Sequence, residues 1–249
     1  MTLNKAMMAL LLSLVGGAAM AVPHSATVDF SKGLEGWWGM QPLDGNGGSG
    51  IDTGMGHGAP ALRTVIENFG VTWGTSHNQA FLGDYTKLPG VTLGLDISAQ
   101  QIYFFNREVS RNVIVELRDY DNTPSGLPYT SVFYNLGSID STKGWQHLSV
   151  TIGDTNSTVL PAGWGGYGGP DAHGPTLPAG RTFASVLASV DEVVFTTLQP
   201  GYLYGYTNFD IAIDNVRITA VPEPSTYGML IGGMALVGWM ARRKARSVA

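Results

Sequence analysis

The chain has 249 residues, 44% hydrophobic and 13% charged, with 34 Gly, 13 Pro, no Cys and a formal net charge of −5. That composition excludes a disordered polyelectrolyte and a disulfide scaffold. The length allows two domains at roughly 150 residues each, but neither end reads as core, and the roughly 200 residues between them suit one hydrophobic core.

At the N-terminus, Lys5 precedes an apolar run from Met7 through Leu12 to Val15, and Ala19, Met20 and Ala21 form the A-x-A arrangement of a signal-peptidase site. Residues 1–21 are therefore expected to be a signal peptide, cut after Ala21. The run is short of the roughly 20 apolar residues that span a bilayer.

Short or alternating apolar runs follow at 26–30, 61–66, 91–97, 101–105, 113–118, 131–136, 147–152, 192–198 and 209–218. Turn-forming clusters lie between them, such as 44–50 (DGNGGSG) and 121–126 (DNTPSG). Nine candidate strands predict an all-β antiparallel sandwich over residues 22–220. Residues 181–190 differ, with Phe183, Val186, Leu187 and Val190 at helical spacing, and predict one short helix. In the last strand Phe209, Ile211 and Ile213 alternate inward, and Val216 and Ile218 resume out of phase; an extra residue at Asp214 and Asn215 would restore the face, so a bulge is expected there. Residues 160–180 are too long for a plain connection.

Beyond 220, Pro222, Glu223 and Pro224 precede an apolar run from Tyr227 to Met240 and then Arg242, Arg243, Lys244 and Arg246. Prolines stop the strand, the apolar run partitions into the inner membrane, and the basic cluster holds the C-terminus in the cytoplasm. This three-part tail, residues 221–249, resembles the PEP-CTERM sorting signal of Gram-negative bacteria. The resemblance implies cleavage by an exosortase, transient membrane tethering, and release to the cell surface or into exopolysaccharide. With Lys5 and the four tail cations set aside, residues 22–221 keep 9 Lys and Arg against 18 Asp and Glu, a net of −9. Such an acidic chain without a basic run is no partner for nucleic acid.

Several short segments carry a second resemblance: Asp29-Phe30-Ser31, Gly33-Leu34-Glu35-Gly36-Trp37, Phe81-Leu82-Gly83-Asp84-Tyr85, residues 182–187 and Ile213-Asp214-Asn215-Val216. Together they look like jelly-roll domains of the laminin IV and galactose-binding-like types. Such modules often bind one ion between first and last strands, so the resemblance implies a structural Ca²⁺ held by Asp29 and Asp214, with backbone carbonyls completing the shell.

Enzyme motifs are mostly missing: the sequence has no G-x-S-x-G, no H-E-x-x-H and no P-loop. The five His residues are scattered; convergence of His57, His77 and His173 on a metal is possible, but their spacing does not require it. Glu116 and Asp119 are the densest carboxylates with Asp121, yet on a strand the first two point to opposite faces, which implies no catalytic pair. The aromatics carry the functional expectation. Trp37, Trp38, Trp73, Trp164, Tyr167, Tyr202, Tyr204 and Tyr206 lie beside Gly-rich turns, where flat rings suit sugar faces and Asn68, Asn78, Gln79 and Asn208 supply in-plane hydrogen bonds. Non-catalytic binding of extracellular polysaccharide is the leading expectation, with Trp164 and Tyr167 of the long loop as its centre. A polysaccharide-active enzyme and a purely structural matrix protein are the alternatives.

Overall fold

A computed structural model describes residues 25–220 apart from 42–44, 46, 59, 122, 125 and 170–175. The expected signal peptide and sorting tail, with His24 and His173, lie outside the described residues.

The described chain is an antiparallel β-sandwich. Its strands are β1 (Ser25–Val28), β2 (Trp37–Trp38), β3 (Gly47–Asp52), β4 (Ala61–Asn68), β5 (Thr72–Thr75), β6 (Val91–Phe104), β7 (Arg107–Glu108), β8 (Arg111–Asp119), β9 (Thr130–Ile139), β10 (Gln146–Ile152), β11 (Trp164–Tyr167), β12 (Glu192–Thr196) and β13 (Thr207–Ala220). One sheet has seven strands in the order β10-β6-β13-β4-β3, with β1 added to β13 and β7 to β6. The other has six, in the order β11-β9-β8-β12-β5-β2. Period-2 alternation decides which side chains face inward. Leu93, Leu95 and Ile97 of β6 and Phe209, Ile211 and Ile213 of β13 meet the inner face of the second sheet, where Val113, Val115 and Leu117 of β8 and Phe195 of β12 are equally buried. Each such side chain contributes about 1.5–3 kcal/mol on burial.

The out-of-phase pattern near the chain's end is a bulge. The pairing of β13 with β6 shifts between Asp214 and Arg217, and Asn215 adopts φ 47° in the left-handed region. A second shift, unforeseen, lets β6 run unbroken through the two segments read as separate strands: Ala99 pairs with Ile211 and Gln101 with Asp210, leaving Gln100 as the extra residue. The expected helix is one short element, α1 (Phe183–Leu187), opened by a reciprocal Thr182–Ser185 capping box and burying Phe183, Val186 and Leu187.

β2, β3, β5, β7 and β11 were not among the expected strands. β3 and β11 close the edges of their sheets and are rich in glycine. Backbone bonds to a longer neighbour hold them, so they need no apolar rhythm of their own. Glycine is required where the neighbour leaves no room: a Cβ on Gly47 would lie 2.0 Å from the Val65 carbonyl oxygen. Residues 47–50 of the stretch read as a turn thus open an edge strand, and β11 lies in the first half of the long segment 160–180. Among the described residues no helix is long and apolar enough to cross a membrane.

Candidate functional site

The outer face of the six-stranded sheet is built from one row of paired residues, Gly165, Phe133, Glu116, Val194, Gly74 and Trp38, running from β11 to β2. The two glycines let two rings lie on the sheet. A Cβ on Gly165 would come within 2.3 Å of the Phe133 ring, and one on Gly74 within 2.6 Å of Trp38. Between the rings sits a buried ionic centre. Arg118 donates through Nε and Nη2 to Glu116 Oε2 at 3.0 and 2.7 Å, and through Nη1 to Glu192 Oε2 at 2.9 Å. The Ser131 hydroxyl donates to Glu116 Oε1 and the Tyr120 hydroxyl to Glu192 Oε2. Burial by itself lowers the Arg118 pKa, but the charge of Glu116 and the bonds to both carboxylates overturn it and hold the guanidinium above its ordinary range. The Tyr129 ring lies 4.5 Å from that guanidinium and 5.3 Å from the Tyr167 ring. Burial, with the Glu116 charge, pushes the Tyr129 phenol well up, and burial with the bond to Glu192 pushes Tyr120 up to about 12.

Residues 198–206 rise beside this centre. The Gln199 N–H donates to the Tyr204 hydroxyl at 2.9 Å, which pins the segment's two ends together. Tyr202 is 65% exposed. Tyr202, Tyr204 and Gln199 stand between two adjoining hollows. One, about 270 Å³, has Glu116, Arg118, Tyr129 and Tyr167 in its wall. The other, about 490 Å³, is walled by Ser110, Arg111, Asn112 and Asn135. The result is an open groove with phenol rings on one side and carboxamides on the other, the chemistry that reads a sugar's faces and edges.

Three expected residues, Tyr167, Tyr202 and Tyr204, meet in this groove, and Trp38 lies half-buried on the same face at the far edge of the sheet. The other tryptophans are corrections. Trp37 is buried, 5.1 Å edge-on to Phe81 and 6.0 Å from Phe195. Trp73 is fully buried and donates through Nε1 to Thr64 Oγ1. Trp164 packs edge-on against Phe183 at 5.0 Å and against Tyr134 at 5.4 Å. Strand geometry gives the reason: Trp37 and Trp38 are neighbours, and Trp164 and Tyr167 are three apart, so each pair splits between opposite faces. The expected amides also differ. Asn78 caps a 3₁₀ turn and holds the Glu35 carbonyl, Asn68 Oδ1 takes the Phe69 N–H, and the groove instead uses Asn112, Asn135 and Gln199. Sequence reading also missed Tyr129, Arg111 and the Glu116–Arg118 pair. The last was visible as two opposite charges two residues apart inside an apolar strand.

On the other sheet, Asp96 gathers what the sequence kept apart. Its Oδ2 is 2.9 Å from His57 Nδ1 and accepts from Asn215 Nδ2; its Oδ1 is 2.9 Å from His147 Nδ1 and accepts from Arg217 Nη2. Burial raises the Asp96 pKa, but the bonds from His57, His147 and Asn215 and the Arg217 charge outweigh it and leave the carboxyl below its ordinary range. His57 also stacks on Trp145 at 5.6 Å. His77 Nδ1 contacts the Ser76 hydroxyl at 3.1 Å and is not bonded to Asp96; among the described residues His57 and His77 share no metal-sized cluster.

β1 pairs with β13 next to Asp214, so the two strands named in the calcium reading are adjacent. Asp214, fully buried, accepts the His57 N–H through Oδ2 and the Asn215 N–H through Oδ1, and Asp29 Oδ1 accepts the Ser31 N–H and hydroxyl. Calcium takes six to eight oxygen ligands, and in this structure both Asp214 oxygens and Asp29 Oδ1 accept N–H or O–H donors, while the charges of Asp96 and Asp29 act on Asp214. Burial, offset in part by the His57 and Asn215 bonds, raises the Asp214 pKa. The carboxylates of Asp119, Asp121 and Asp191 come within 4.8 Å of one another. Asp119 is engaged by Arg181 and the Asp121 N–H, while Asp121 and Asp191 each accept through one oxygen, from the Ser189 hydroxyl and the Tyr120 N–H.

Residues 220–244 match the PEP-CTERM protein-sorting motif. The chain carries a PEP-CTERM signal. The motif marks an exported protein that is processed by an exosortase and sorted to the surface in Gram-negative bacteria. Among curated proteins none matches the sequence. Among solved structures, the PEP-CTERM chain is similar to the family 30 carbohydrate-binding module of a cellulosomal cellulase of Clostridium thermocellum, with 13% identity over 80% of this chain and 95% of that one, at a TM-score of 0.41. It is also similar to a C-terminal family 22 carbohydrate-binding module from Clostridium thermocellum, with 12% identity over 78% and 92% and a TM-score of 0.40. A carbohydrate esterase from the Shiga toxin-encoding bacteriophage phi24B aligns at 12% identity over 79% and 97%, with a TM-score of 0.42. At this distance the ligands in those names belong to those proteins alone.

Proposed function

We propose that this exported sandwich binds glycan non-catalytically in the groove on the outer face of its six-stranded sheet, and that it works in the cell envelope or the extracellular polysaccharide. The observation that carries this reading is the convergence of Tyr167, Tyr202 and Tyr204 with Gln199, Asn112 and Asn135 on one open groove. Three rings supply stacking surface for pyranose C–H groups, and carboxamides supply paired donors and acceptors for hydroxyls. The carboxylates at hand do not form an acid and base pair. Glu116 is bonded through both oxygens, to Arg118 and Ser131, and Glu192 through Oε2 to Arg118 and Tyr120, so the two share one guanidinium as partners of a single ion-pair centre.

Affinity electrophoresis of the purified chain through gels containing a panel of neutral and acidic polysaccharides tests the reading. Retardation is expected on at least one polymer, with affinity falling about tenfold or more in the Tyr202→Ala/Tyr204→Ala variant. Unchanged mobility on every polymer, including the host's own exopolymer, would leave a structural matrix protein as the better account.

A further inference from the structure

Resting on the glycan-binding reading of the groove, we infer that Arg111 is a subsite for an anionic group, so that the ligand is an acidic polysaccharide bearing carboxylate or sulfate. Arg111 opens β8 and walls the larger hollow beside Asn112, Asn135 and Tyr204. It spends one N–H of Nη1 on the Ser110 carbonyl and one of Nη2 on Thr207 Oγ1, which leaves a second N–H on each terminal nitrogen. Its Nε is sealed from water with no partner among the described residues.

The other arginines show how unusual this is. Arg63 pairs with Asp52 and Asp210, Arg118 with Glu116 and Glu192, Arg181 with Asp119 and Arg217 with Asp96. Arg107, without an ion pair among the described residues, is exposed on the β6–β7 hairpin. Arg111 alone is partly buried and yet meets no carboxylate among the described residues, in a chain whose central 200 residues hold twice as many acids as cations. Burial pulls its pKa down, with only the Tyr204 phenol opposing. A partly desolvated guanidinium without a counter-charge is costly, and an anion entering the groove would supply the missing partner. Two free N–H groups on one planar fork match the two oxygens of a carboxylate or sulfate. The amides around it would read the neighbouring hydroxyls.

The test measures affinity of the purified chain for polygalacturonate and its fully methyl-esterified form, and for dextran sulfate and dextran, at low and moderate salt. Arg111→Gln, Arg111→Lys and the control Arg107→Gln are compared with the native chain. The expected result is retention of an acidic polymer but not its neutral counterpart, an affinity loss of about tenfold or more in Arg111→Gln, an intermediate loss in Arg111→Lys and none in Arg107→Gln. Retention of polygalacturonate alone identifies a uronate carboxylate, and of dextran sulfate alone a sulfate. Equal binding of the charged and neutral forms overturns the inference even if a variant fails to fold. So does acid binding that Arg111→Gln leaves intact. A neutral glycan retained by the native chain and by Arg111→Gln, but lost in Tyr202→Ala/Tyr204→Ala, would sink the anionic subsite and leave the glycan groove standing. Retention of no polymer would sink both.

Discussion

On the outer face of the seven-stranded sheet Arg63 divides its guanidinium between Asp52 and Asp210, whereas on the six-stranded sheet Arg111 meets no carboxylate among the described residues. The same contrast runs through the two faces. On the first, Asp96 takes four donors from His57, His147, Asn215 and Arg217, and Asp214 beneath them is fully buried, its oxygens taken by backbone N–H groups. On the second, a closed centre at Arg118 adjoins a groove where Tyr202 stands 65% exposed and Arg111 has no ion pair among the described residues. Both faces are polar, but they use polarity differently. A network that satisfies its own members holds loops to a sheet, and unspent hydrogen-bonding capacity beside exposed rings is what a ligand requires.

Emptying the closed face should produce the largest effect. Asp96→Ala strands four donors from three segments, and a loss of about 2–4 kcal/mol in unfolding free energy is expected, read from the denaturant midpoint, with polysaccharide retention unchanged. Equal loss of retention would show that the two faces are not independent. A smaller effect separates two aromatics of β11. Trp164→Ala removes a ring packed on Phe183 and should lower stability by about 2 kcal/mol without weakening retention. Tyr167→Ala, on the groove side, should weaken retention several-fold while moving stability by less than about 1 kcal/mol.

The smallest expected effect is on the acid limb of stability. The folded Asp96 carboxyl sits below its ordinary value of 3.8, so it binds fewer protons folded than unfolded. Its contribution is complete above that value and is lost as pH falls through the folded pKa. Asp214 is shifted upward, so its sign is opposite: it favours the folded state more as pH falls through the window between its folded pKa and 3.8. Asp96→Asn should therefore flatten the decline of stability below about pH 4, whereas Asp214→Asn should remove the gain in stability that comes as pH falls toward 3.8 and leave the limb below it unchanged, both measured as melting temperature against pH.

Much of the fold could be read from the chain because its long central strands must alternate to bury one face. The bulge at Asn215 was legible for the same reason, since Ile213 and Val216 cannot face one core without an extra residue between them. The edge strands were not legible. Gly47 and Gly165 serve their neighbours' Val65 carbonyl and Phe133 ring, and a sequence does not show which neighbour stands opposite a glycine. The functional tyrosines were partly legible as rings beside glycine turns, but that signal cannot tell a groove ring from a core ring such as Trp73. The groove itself is assembled from Asn112, Asn135, Tyr167 and the 198–206 segment, which only strand pairing brings together. Asp96 with His57 and His147 is the same case on the opposite face.

The most direct measurement is an NMR titration of the isotope-labelled chain with whichever polysaccharide fragment it retains, following side-chain amides and tyrosine rings. The account predicts shifts confined to Asn112, Asn135, Gln199, Tyr167, Tyr202 and Tyr204, with the His57, His147 and Asn215 signals unmoved. Shifts centred on the Asp96 cluster, with the groove silent, would contradict it.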